Sequence, residues 1–259
     1  MLAHQQWPNP VPPWPDDFPD VVGQCSLESL YSAAFDAHES IAHRTSSAYR
    51  MAKAGDVKAA VKVVSAIIDI ETVTEIHNAF PGSVVASVHA EEEQGRNKLA
   101  LAYANALGDI CDFEVDGDIV QCNRANHTNA SARQRMARVP LFDGEVISDR
   151  QYIVVDDVCT TGSSLAALRH YIEARGSRVV LATALAVPEP KHGHDARRLP
   201  ITSITIEKIR KKFDSSAIDV ILYDYGVAPS IQHLTEAAGQ TILGFETAYG
   251  IRSSLLAAR

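Results

Sequence analysis

Two adjacent carboxylic acids, Asp156 and Asp157, stand between an apolar run and a cluster of small hydroxylated residues. The apolar run, 153–155, is typical of a buried parallel strand, and open α/β sheets bind ligands at the carboxyl ends of such strands. The cluster is predicted to turn into a helix and consists of Thr160, Thr161, Gly162, Ser163 and Ser164. Its hydroxyls, with the amides of a helix N-terminus, could hold a phosphate without any lysine. We expect Gly162 to let the backbone approach that ligand closely.

The two acids need a different partner, because carboxylates are repelled by a phosphate. Ribose hydroxyls or a divalent metal would suit them, so a sugar phosphate satisfies both halves of the segment. Mg²⁺ keeps much of its hydration in proteins, so we expect Asp156 and Asp157 to hold it indirectly or through one carboxylate. The remaining magnesium ligands would be ligand oxygens and waters.

The surrounding elements predict an α/β fold with a central parallel sheet flanked by helices. A strand, a helix and a second strand follow one another between Tyr152 and Val187, and such a crossover implies parallel strands. Upstream, "PGSVVASVHA" reads as a turn and a buried strand, and "GRNKLALAYANALG" as a helix that stops at Gly108. Asp56 is a plausible N-cap for an earlier helix. In "ILYDYG", Tyr223 and Tyr225 could stack on a base, although a core position at a strand end is favoured.

The segment "VVDDVCTTGSS" resembles the phosphoribosyl-pyrophosphate-binding motif of type I phosphoribosyltransferases, with Ser164 where that motif usually has threonine. A second segment, "SVVASVHAEEEQGRNKLALAYANAL", resembles the pyrophosphate loop and next helix of the competence-associated branch of this family. Its matching residues are Ser87, Val88, His89, Ala90, Gly95 and Asn97. It departs from the pattern at Gln94, where a basic residue is common, and in lacking the prolines often found at the strand end. The resemblance spans roughly 49–187.

The resemblance implies a type I phosphoribosyltransferase fold and a Mg²⁺-dependent transfer of ribose 5-phosphate from phosphoribosyl pyrophosphate to a nitrogenous base, with release of pyrophosphate. Asp156 and Asp157 would be catalytic, and the turn 160–164 would bind the 5′-phosphate. Ser87, Val88 and His89 would contact pyrophosphate. The family also implies a mobile loop in the polar segment before the motif, closing over the pyrophosphate through Arg124 and Arg135. Two further arginines of that segment are Arg133 and Arg138.

A different class of function remains open, a phosphoribosyltransferase-like sensor or accessory protein that binds a nucleotide without turnover. The intact acid pair favours catalysis. The altered pyrophosphate segment and the unfamiliar tail favour the sensor. Fold alone does not separate the two, because one scaffold hosts several functions.

The chain divides into three parts by composition. Residues 1–24 form a proline-rich extended arm, which either wraps over the domain through Trp7 and Trp14 or stays disordered. Residues 25–187 form the phosphoribosyltransferase-like core. Residues 188–259 form an extension with amphipathic helices, which could serve as a hood over the acceptor, pack on the domain, pair two subunits as a homodimer, or dock a partner.

Charge and composition exclude several broad classes. A formal net charge of −8 argues against general nucleic-acid binding, because a polyanion would be repelled. No apolar stretch is long enough to cross a bilayer, so no membrane partner is expected. The four cysteines are far apart without a CxxC pair, which favours reduced thiols in a cytoplasm. His192 and His194 lack further ligands at metal-site spacing.

Overall fold

The structure, a computed structural model, describes residues 7–36, 45–88, 91–92, 95–123, 130–189 and 197–257. The strands are β1 (Val22–Cys25), β2 (Val84–Ser87), β3 (Glu91–Glu92), β4 (Gly95–Arg96), β5 (Glu114–Asp116), β6 (Val120–Gln121), β7 (Phe142–Asp143), β8 (Gln151–Val158) and β9 (Arg178–Ala186). The first helices are α1 (Leu27–Ser32), α2 (Ser47–Lys53), α3 (Val57–Ile67), α4 (Ile70–Ala79), α5 (Leu99–Cys111) and α6 (Ala132–Ala137). The later helices are α7 (Ser163–Glu173), α8 (Ser203–Lys212), α9 (Ser215–Asp224), α10 (Glu236–Leu243) and α11 (Ala248–Ala257), with a 3₁₀ turn at Ile231–His233.

A five-stranded sheet in the order β1-β9-β8-β2-β5 forms the centre of the fold, and all of its strand pairs are parallel. Strand β8 is the middle strand, with Tyr152 beside Val84 of β2 and beside Val179 of β9. Helices cover both faces of this sheet. The predicted fold class, a central parallel sheet flanked by helices, is confirmed.

The sheet separates two hydrophobic cores because strand residues alternate between its faces. On one face Ile153 and Val155 pack with residues of α3, α4 and α5, which we call the first core. On the other face Tyr152 and Val154 pack with α7, which we call the second core. The helices that follow β2 and β8 therefore lie on opposite faces of the sheet.

The proline-rich arm lies against α7 from Trp7 onward. The Trp7 and Trp14 side chains are buried, and the Trp14 Nε1–H donates to the backbone carbonyl of His233 at 3.1 Å. Arg169 of α7 donates to the carbonyls of Pro12 and Pro13 at 3.1 and 3.0 Å. Of the two arrangements that the composition allows, the described part of the arm adopts the wrapped one.

The helices after residue 197 pack around a third core of their own, which also includes α6. Ile209, Ile242 and Ile251 are fully buried there, beside Met136 and Ala137 from α6. The polar segment before the motif was predicted to be a mobile loop. Its described part includes α6, a helix with a capping box and an apolar side that packs on α10 and α11, so this part is helical. Closure of the segment over pyrophosphate stays a prediction.

Two local predictions are wrong for packing reasons. Helix α5 continues through Gly108 to Cys111, where Asp112 takes the left-handed conformation (φ +56°). A Cβ on Gly108 would lie 2.7 Å from Val115 Cγ2, so the glycine allows β5 to approach the helix. The "ILYDYG" stretch is the end of α9 rather than a strand, and Tyr223 packs on Trp7 with ring centroids 5.7 Å apart. Asp56 does cap α3, accepting from Ala59 N at 2.9 Å.

Across the described ranges, no helix combines the length and the apolar character that spanning a membrane requires. The four cysteines, all of them within these ranges, are free thiols.

Candidate functional site

The candidate site lies at a switch point in the sheet, where the chain leaves two neighbouring strands in opposite directions. After β2 the chain passes through α5 to β5 on one side, and after β8 it passes through α7 to β9 on the other. A crevice opens at the carboxyl ends of the strands at such a point, and open α/β sheets bind ligands there. Asp156, Asp157 and the start of α7 lie at this crevice.

The acid pair lies near the end of β8, just before Val158. Because side chains alternate between the two faces of a strand, the two carboxyl groups lie on opposite faces of the sheet. Asp157 continues the alternation of Ile153 and Val155, toward the helices of the first core, and Asp156 continues that of Val154. The Asp157 side chain is buried, while Asp156 is half-buried. The backbone amide of Asp157 donates to Asp156 Oδ1 at 2.8 Å.

Asp157 is enclosed by donors from distant parts of the chain. Its Oδ2 accepts from the ammonium of Lys53 at 3.0 Å and from the amide of Asn97 at 3.1 Å. Its Oδ1 accepts from the backbone N–H of Val158 at 3.0 Å. Burial by itself raises the pKa of the Asp157 carboxyl, but the Lys53 charge and these hydrogen bonds outweigh burial and lower the pKa overall.

Asp156 has the opposite electrostatic character. Burial raises the pKa of its carboxyl well above the ordinary value, and the negative charge of Asp157 raises it further. Two neighbouring carboxyl groups whose environments push their pKa values apart suit different roles, one permanently ionised and one able to take up a proton.

The turn 160–164 leads directly into α7, as its composition predicted. Ser, Thr and Asp residues cap most helices of this protein through their side chains, whereas α7 begins at Gly162 without a side-chain cap. The hydroxyls of Thr161 and Ser163 lie 3.2 Å apart on this turn. The first amides of a helix that lacks a cap are available to an anion.

Gly162 is required by its own backbone and by the packing beside it, and the close approach of a ligand there stays a prediction. Its φ of +68° is left-handed, and a Cβ there would lie 2.1 Å from Leu199 Cδ2. Thr235 Cγ2 lies 3.6 Å from the same point. The space beside Gly162 is therefore occupied by residues of the C-terminal part of the chain, which covers this side of the turn.

Arg135 contacts the turn 160–164 itself, and its contact with pyrophosphate stays a prediction. One guanidinium nitrogen donates to Thr160 Oγ1, and Nε donates to the carbonyl of Ala130 at 2.9 Å. Burial lowers the pKa of Arg135, and the charge of Asp156 partly opposes this. Within the described ranges the guanidinium forms no ion pair, so a positive charge stands at the start of α7 without a bound carboxylate.

Arg133, on the same helix, contacts the C-terminal part of the chain instead of this turn. Arg133 lies over the Phe245 ring, 4.4 Å from the centroid, and donates to the carbonyl of Gly244 at 3.3 Å. Arg138 is the C-terminal cap residue of α6. Arg124 lies outside the described residues, as do His192 and His194.

The predicted pyrophosphate segment reaches the same sheet edge but presents little surface there. Ser87 lies beside Val155 in the register of β2 and β8, and Val88 N donates to Val155 O at 2.8 Å. The Ser87 and Val88 side chains are both buried, and Val88 packs in the second core. His89 lies outside the described residues. Any contact of Ser87 or Val88 with a ligand would thus be through the backbone.

No family model matches the chain. The chain is 36% identical over 179 residues to the protein TraN of Escherichia coli, covering 68% of this chain and 37% of that protein. It is 29% identical over 161 residues to an uncharacterized protein of Haemophilus influenzae, covering 61% of this chain and 33% of that protein. The chain thus spans about a third of the length of the curated relatives it matches.

Among solved structures, the chain is similar to an adenine phosphoribosyltransferase, with a TM-score of 0.35 and 12% identity over 52% of this chain and 72% of that chain. It is also similar to the UMP synthase of Leishmania donovani, with a TM-score of 0.31 and 11% identity over 60% and 29%. For the orotate phosphoribosyltransferase of Mycobacterium tuberculosis in complex with inorganic phosphate, the TM-score is 0.26, with 20% identity over 51% and 60%. Similarities of this size carry no conclusion about this chain.

The donor set at the acid pair fits magnesium only as an ion that arrives with its ligand. The described residues contain no group of three or more His, Cys, Asp or Glu side chains that could hold a metal ion. Asp157 already pairs with Lys53, which leaves Asp156 as the carboxylate able to contact a metal. Mg²⁺ is often bound by one carboxylate, waters and ligand phosphates, so this arrangement suits a magnesium–phosphate complex.

Two residues of the site carried weak or no signal in the sequence. Asn97 belongs to the Gly-x-Asn element of the second resemblance, but no role follows from that match. Lys53 lies in α2, 104 residues before Asp157, and no local pattern connects the two. The packing of α2 brings the lysine to the sheet edge.

Proposed function

We propose that this protein transfers ribose 5-phosphate from phosphoribosyl pyrophosphate to a nitrogenous base, with release of pyrophosphate, as a member of the type I phosphoribosyltransferases. One observation carries the proposal. An acid pair ends the middle strand of a parallel sheet, and the hydroxylated turn beyond it opens a helix without a side-chain cap. The resemblance of "VVDDVCTTGSS" to the family motif supports it. The resemblance of the second segment to the competence-associated branch makes membership of that branch part of the proposal.

The 5′-phosphate would bind at the turn 160–164. Three features favour an anion there: the amides at the start of α7, the hydroxyls of Thr160, Thr161 and Ser163, and the guanidinium of Arg135. An arginine with no ion pair in the described part of the chain gains the most from a phosphate, because a charge-assisted hydrogen bond is about twice as strong as a neutral one. We therefore reassign Arg135 from pyrophosphate to the 5′-phosphate.

The acid pair would face the ribose, where positive charge develops as the bond from C1 to pyrophosphate breaks. A carboxylate beside that carbon stabilises the cation-like sugar. Magnesium would come with phosphoribosyl pyrophosphate, and it would neutralise charge on the departing pyrophosphate. The chain contributes positioning and exclusion of water, because hydrolysis competes with transfer.

The experiment is pyrophosphate release from phosphoribosyl pyrophosphate and Mg²⁺ across a panel of purine and pyrimidine bases. We expect release with at least one base, and loss of about a hundredfold or more in kcat/KM for Asp156→Asn. Arg135→Gln should weaken phosphoribosyl-pyrophosphate binding by about tenfold or more, since a charged hydrogen bond is lost. Arg133→Gln is the matched control on the same helix, because its side chain packs on Phe245 instead. Full activity in Asp156→Asn would refute the assignment.

The second candidate is a protein that binds a nucleotide or sugar phosphate without turnover. Its support is specific: Lys53 pairs with one acid of the motif, and Leu199 fills the space beside Gly162. The first contact occupies a carboxylate that a substrate would bind, and the second fills space beside the turn where a substrate would lie. Tight binding of ribose 5-phosphate or a nucleotide, with no pyrophosphate release in the panel, would favour this function over transfer.

A further inference from the structure

The two acids of the motif differ in how many of their oxygens are already used. Asp157 accepts at both oxygens: from Lys53 and Asn97 at Oδ2, and from a backbone amide at Oδ1. Asp156 accepts from the backbone N–H of Asp157 at Oδ1, and in the described part of the chain no donor contacts its Oδ2. Asp156 is also the more accessible of the two. A ligand approaching the sheet edge would thus meet an open carboxylate oxygen only on Asp156.

The donors around Asp157 are held in place by contacts of their own. Asn97 Oδ1 accepts from the backbone N–H of Leu99 at 3.1 Å, which fixes the amide so that Nδ2 points to Asp157. The end of α2 is tied to the same junction, since Lys98 N donates to Ala52 O at 3.1 Å. Lys53, next in sequence to Ala52, is thereby set beside Asn97. The result is a pre-arranged pair of donors on a buried carboxylate.

Burial explains why these donors matter. The Lys53 and Asp157 side chains are 15% and 9% exposed, so water does little to solvate either charge. Breaking such a pair by removing one partner is costly, because the remaining charge stays buried and unpaired. The backbone N–H of Asp157 also donates to Asp156 Oδ1, so the position of the Asp157 backbone helps to set the position of the Asp156 carboxylate.

We propose that Lys53 and Asn97 are positioning residues that lock Asp157 as an ionised anchor, so that Asp156 alone contacts the pentose. This positioning role rests on the proposed binding of a ribose phosphate. It differs from the expectation that both acids bind the sugar. The two acids are thus predicted to have different roles. Asp156 binds the ligand, and Asp157 holds Asp156 in position because Lys53 of α2 and Asn97, just before α5, fix its carboxylate.

The test compares Lys53→Met, Asp157→Asn, their double variant and Asp156→Asn by urea unfolding, ribose 5-phosphate binding and steady-state kinetics. Lys53→Met and Asp157→Asn should each lower stability, and the double variant should cost less than their sum, with a coupling of about tenfold in the unfolding equilibrium. Asp156→Asn should leave the unfolding midpoint unchanged or higher, and should lose ribose 5-phosphate binding by about tenfold or more. Lys62→Met is the matched control, because Lys62 pairs with Asp36 at 2.7 Å on an exposed surface.

Kinetics separates positioning from a purely structural role. Lys53→Met should lower kcat about tenfold or more while KM for phosphoribosyl pyrophosphate changes little, and Lys53→Arg should restore most of the loss. A Lys53→Met protein with lower stability but normal kcat would make the lysine structural only. A raised KM with normal kcat would make Lys53 a substrate contact. Either result overturns the proposal, as would equal loss of sugar binding in Asp157→Asn and Asp156→Asn without coupling to Lys53.

Failure of the underlying function would look different. If the unaltered protein binds no ribose 5-phosphate and releases no pyrophosphate, the proposed function fails, and the sugar contact of Asp156 fails with it. The unfolding measurements need no ligand, so a Lys53–Asp157 coupling would then stand alone as a structural ion pair. If turnover is present and the coupling is absent, only the positioning role is refuted.

Discussion

At the scale of single residues, Gly162 joins a backbone requirement to a packing requirement. Its φ of +68° disfavours any side chain, and Leu199 Cδ2 occupies the space where a Cβ would go. We predict that Gly162→Ala lowers the free energy of unfolding by about 2–4 kcal/mol, the sum of a left-handed backbone and an overpacked contact. Urea unfolding followed by circular dichroism measures this loss.

Gly82 provides the matched control for that prediction. Its φ is +71°, and nothing lies within 4 Å of its Cβ position. Gly82→Ala should therefore cost only the backbone part, about 1 kcal/mol. Adding Leu199→Ala should relieve Gly162→Ala but not Gly82→Ala. Equal costs at the two glycines would show that Leu199 does not press on the turn.

At the scale of elements, a buried ion pair on α7 holds the proline-rich arm. Arg169 and Glu173 are 1% and 3% exposed and 2.6 Å apart, and the Arg169 guanidinium lies 4.2 Å from the Trp14 ring centroid. We predict that Arg169→Leu costs about 3–5 kcal/mol, because Glu173 is left buried and charged and the arm loses its donor. Chemical denaturation gives the cost, and proteolysis within 7–18 reports release of the arm.

Adding Glu173→Gln separates two effects of Arg169→Leu, the unpaired buried charge of Glu173 and the loss of the donor to the arm. Arg169→Leu with Glu173→Gln should recover part of the loss, since Gln can still accept from Val179 N, as Glu173 Oε1 does at 3.2 Å. The exposed Arg150–Glu114 pair, 3.1 Å apart, is the control, and Arg150→Leu should cost less than about 1 kcal/mol. If Arg169→Leu lowered the free energy of unfolding as little as Arg150→Leu, the proposed role of the Arg169–Glu173 pair in holding the arm would be contradicted.

At the scale of the whole molecule, the arm, α7 and the C-terminal helices meet at His170. His170 is 2% exposed, and within the described ranges neither of its ring nitrogens has a hydrogen-bond partner. Arg169 of the same helix, His233 of the 3₁₀ turn, and the Trp7 and Trp14 rings lie around it. Burial, then the charges of Arg169 and His233, lower the pKa of His170 well below its usual value.

This arrangement predicts a stability that falls in mild acid. A histidine whose folded pKa lies below its unfolded value of about 6.5 takes up a proton on unfolding, so the free energy of unfolding decreases as pH falls through about 6.5. The loss is at most about 1.4 kcal/mol per pH unit for this one group. Above about pH 7.5 His170 contributes no pH dependence. Urea unfolding from pH 5 to 8 measures the slope.

His170→Leu should have the smaller slope below pH 6.5. Some slope should remain, because burial also lowers the pKa of His233, which donates from Nε2 to Val11 O at 2.9 Å. Identical slopes in the variant and the unaltered protein would show that His170 is not the group that titrates.

The sequence predicted correctly those elements whose formation depends on residues close together in the chain. An apolar run, two acids and a glycine-containing hydroxylated turn predicted β8, the turn 160–164 and α7, because strand burial and helix starts depend on neighbouring residues. The parallel sheet followed from the strand–helix–strand order. The helix stop at Gly108 failed because tertiary packing against β5, rather than a turn, requires that glycine.

The tertiary structure alone decided which partners the site residues meet. Lys53 reaches Asp157 across 104 positions, Leu199 covers Gly162, and the C-terminal helices hold α6 so that Arg135 contacts Thr160. Such contacts depend on how whole helices pack, and packing sums many weak interactions between residues far apart in the chain. No short pattern encodes that sum. The motif could therefore be found by sequence, while the unequal roles of its two acids could be inferred only from their surroundings in the fold.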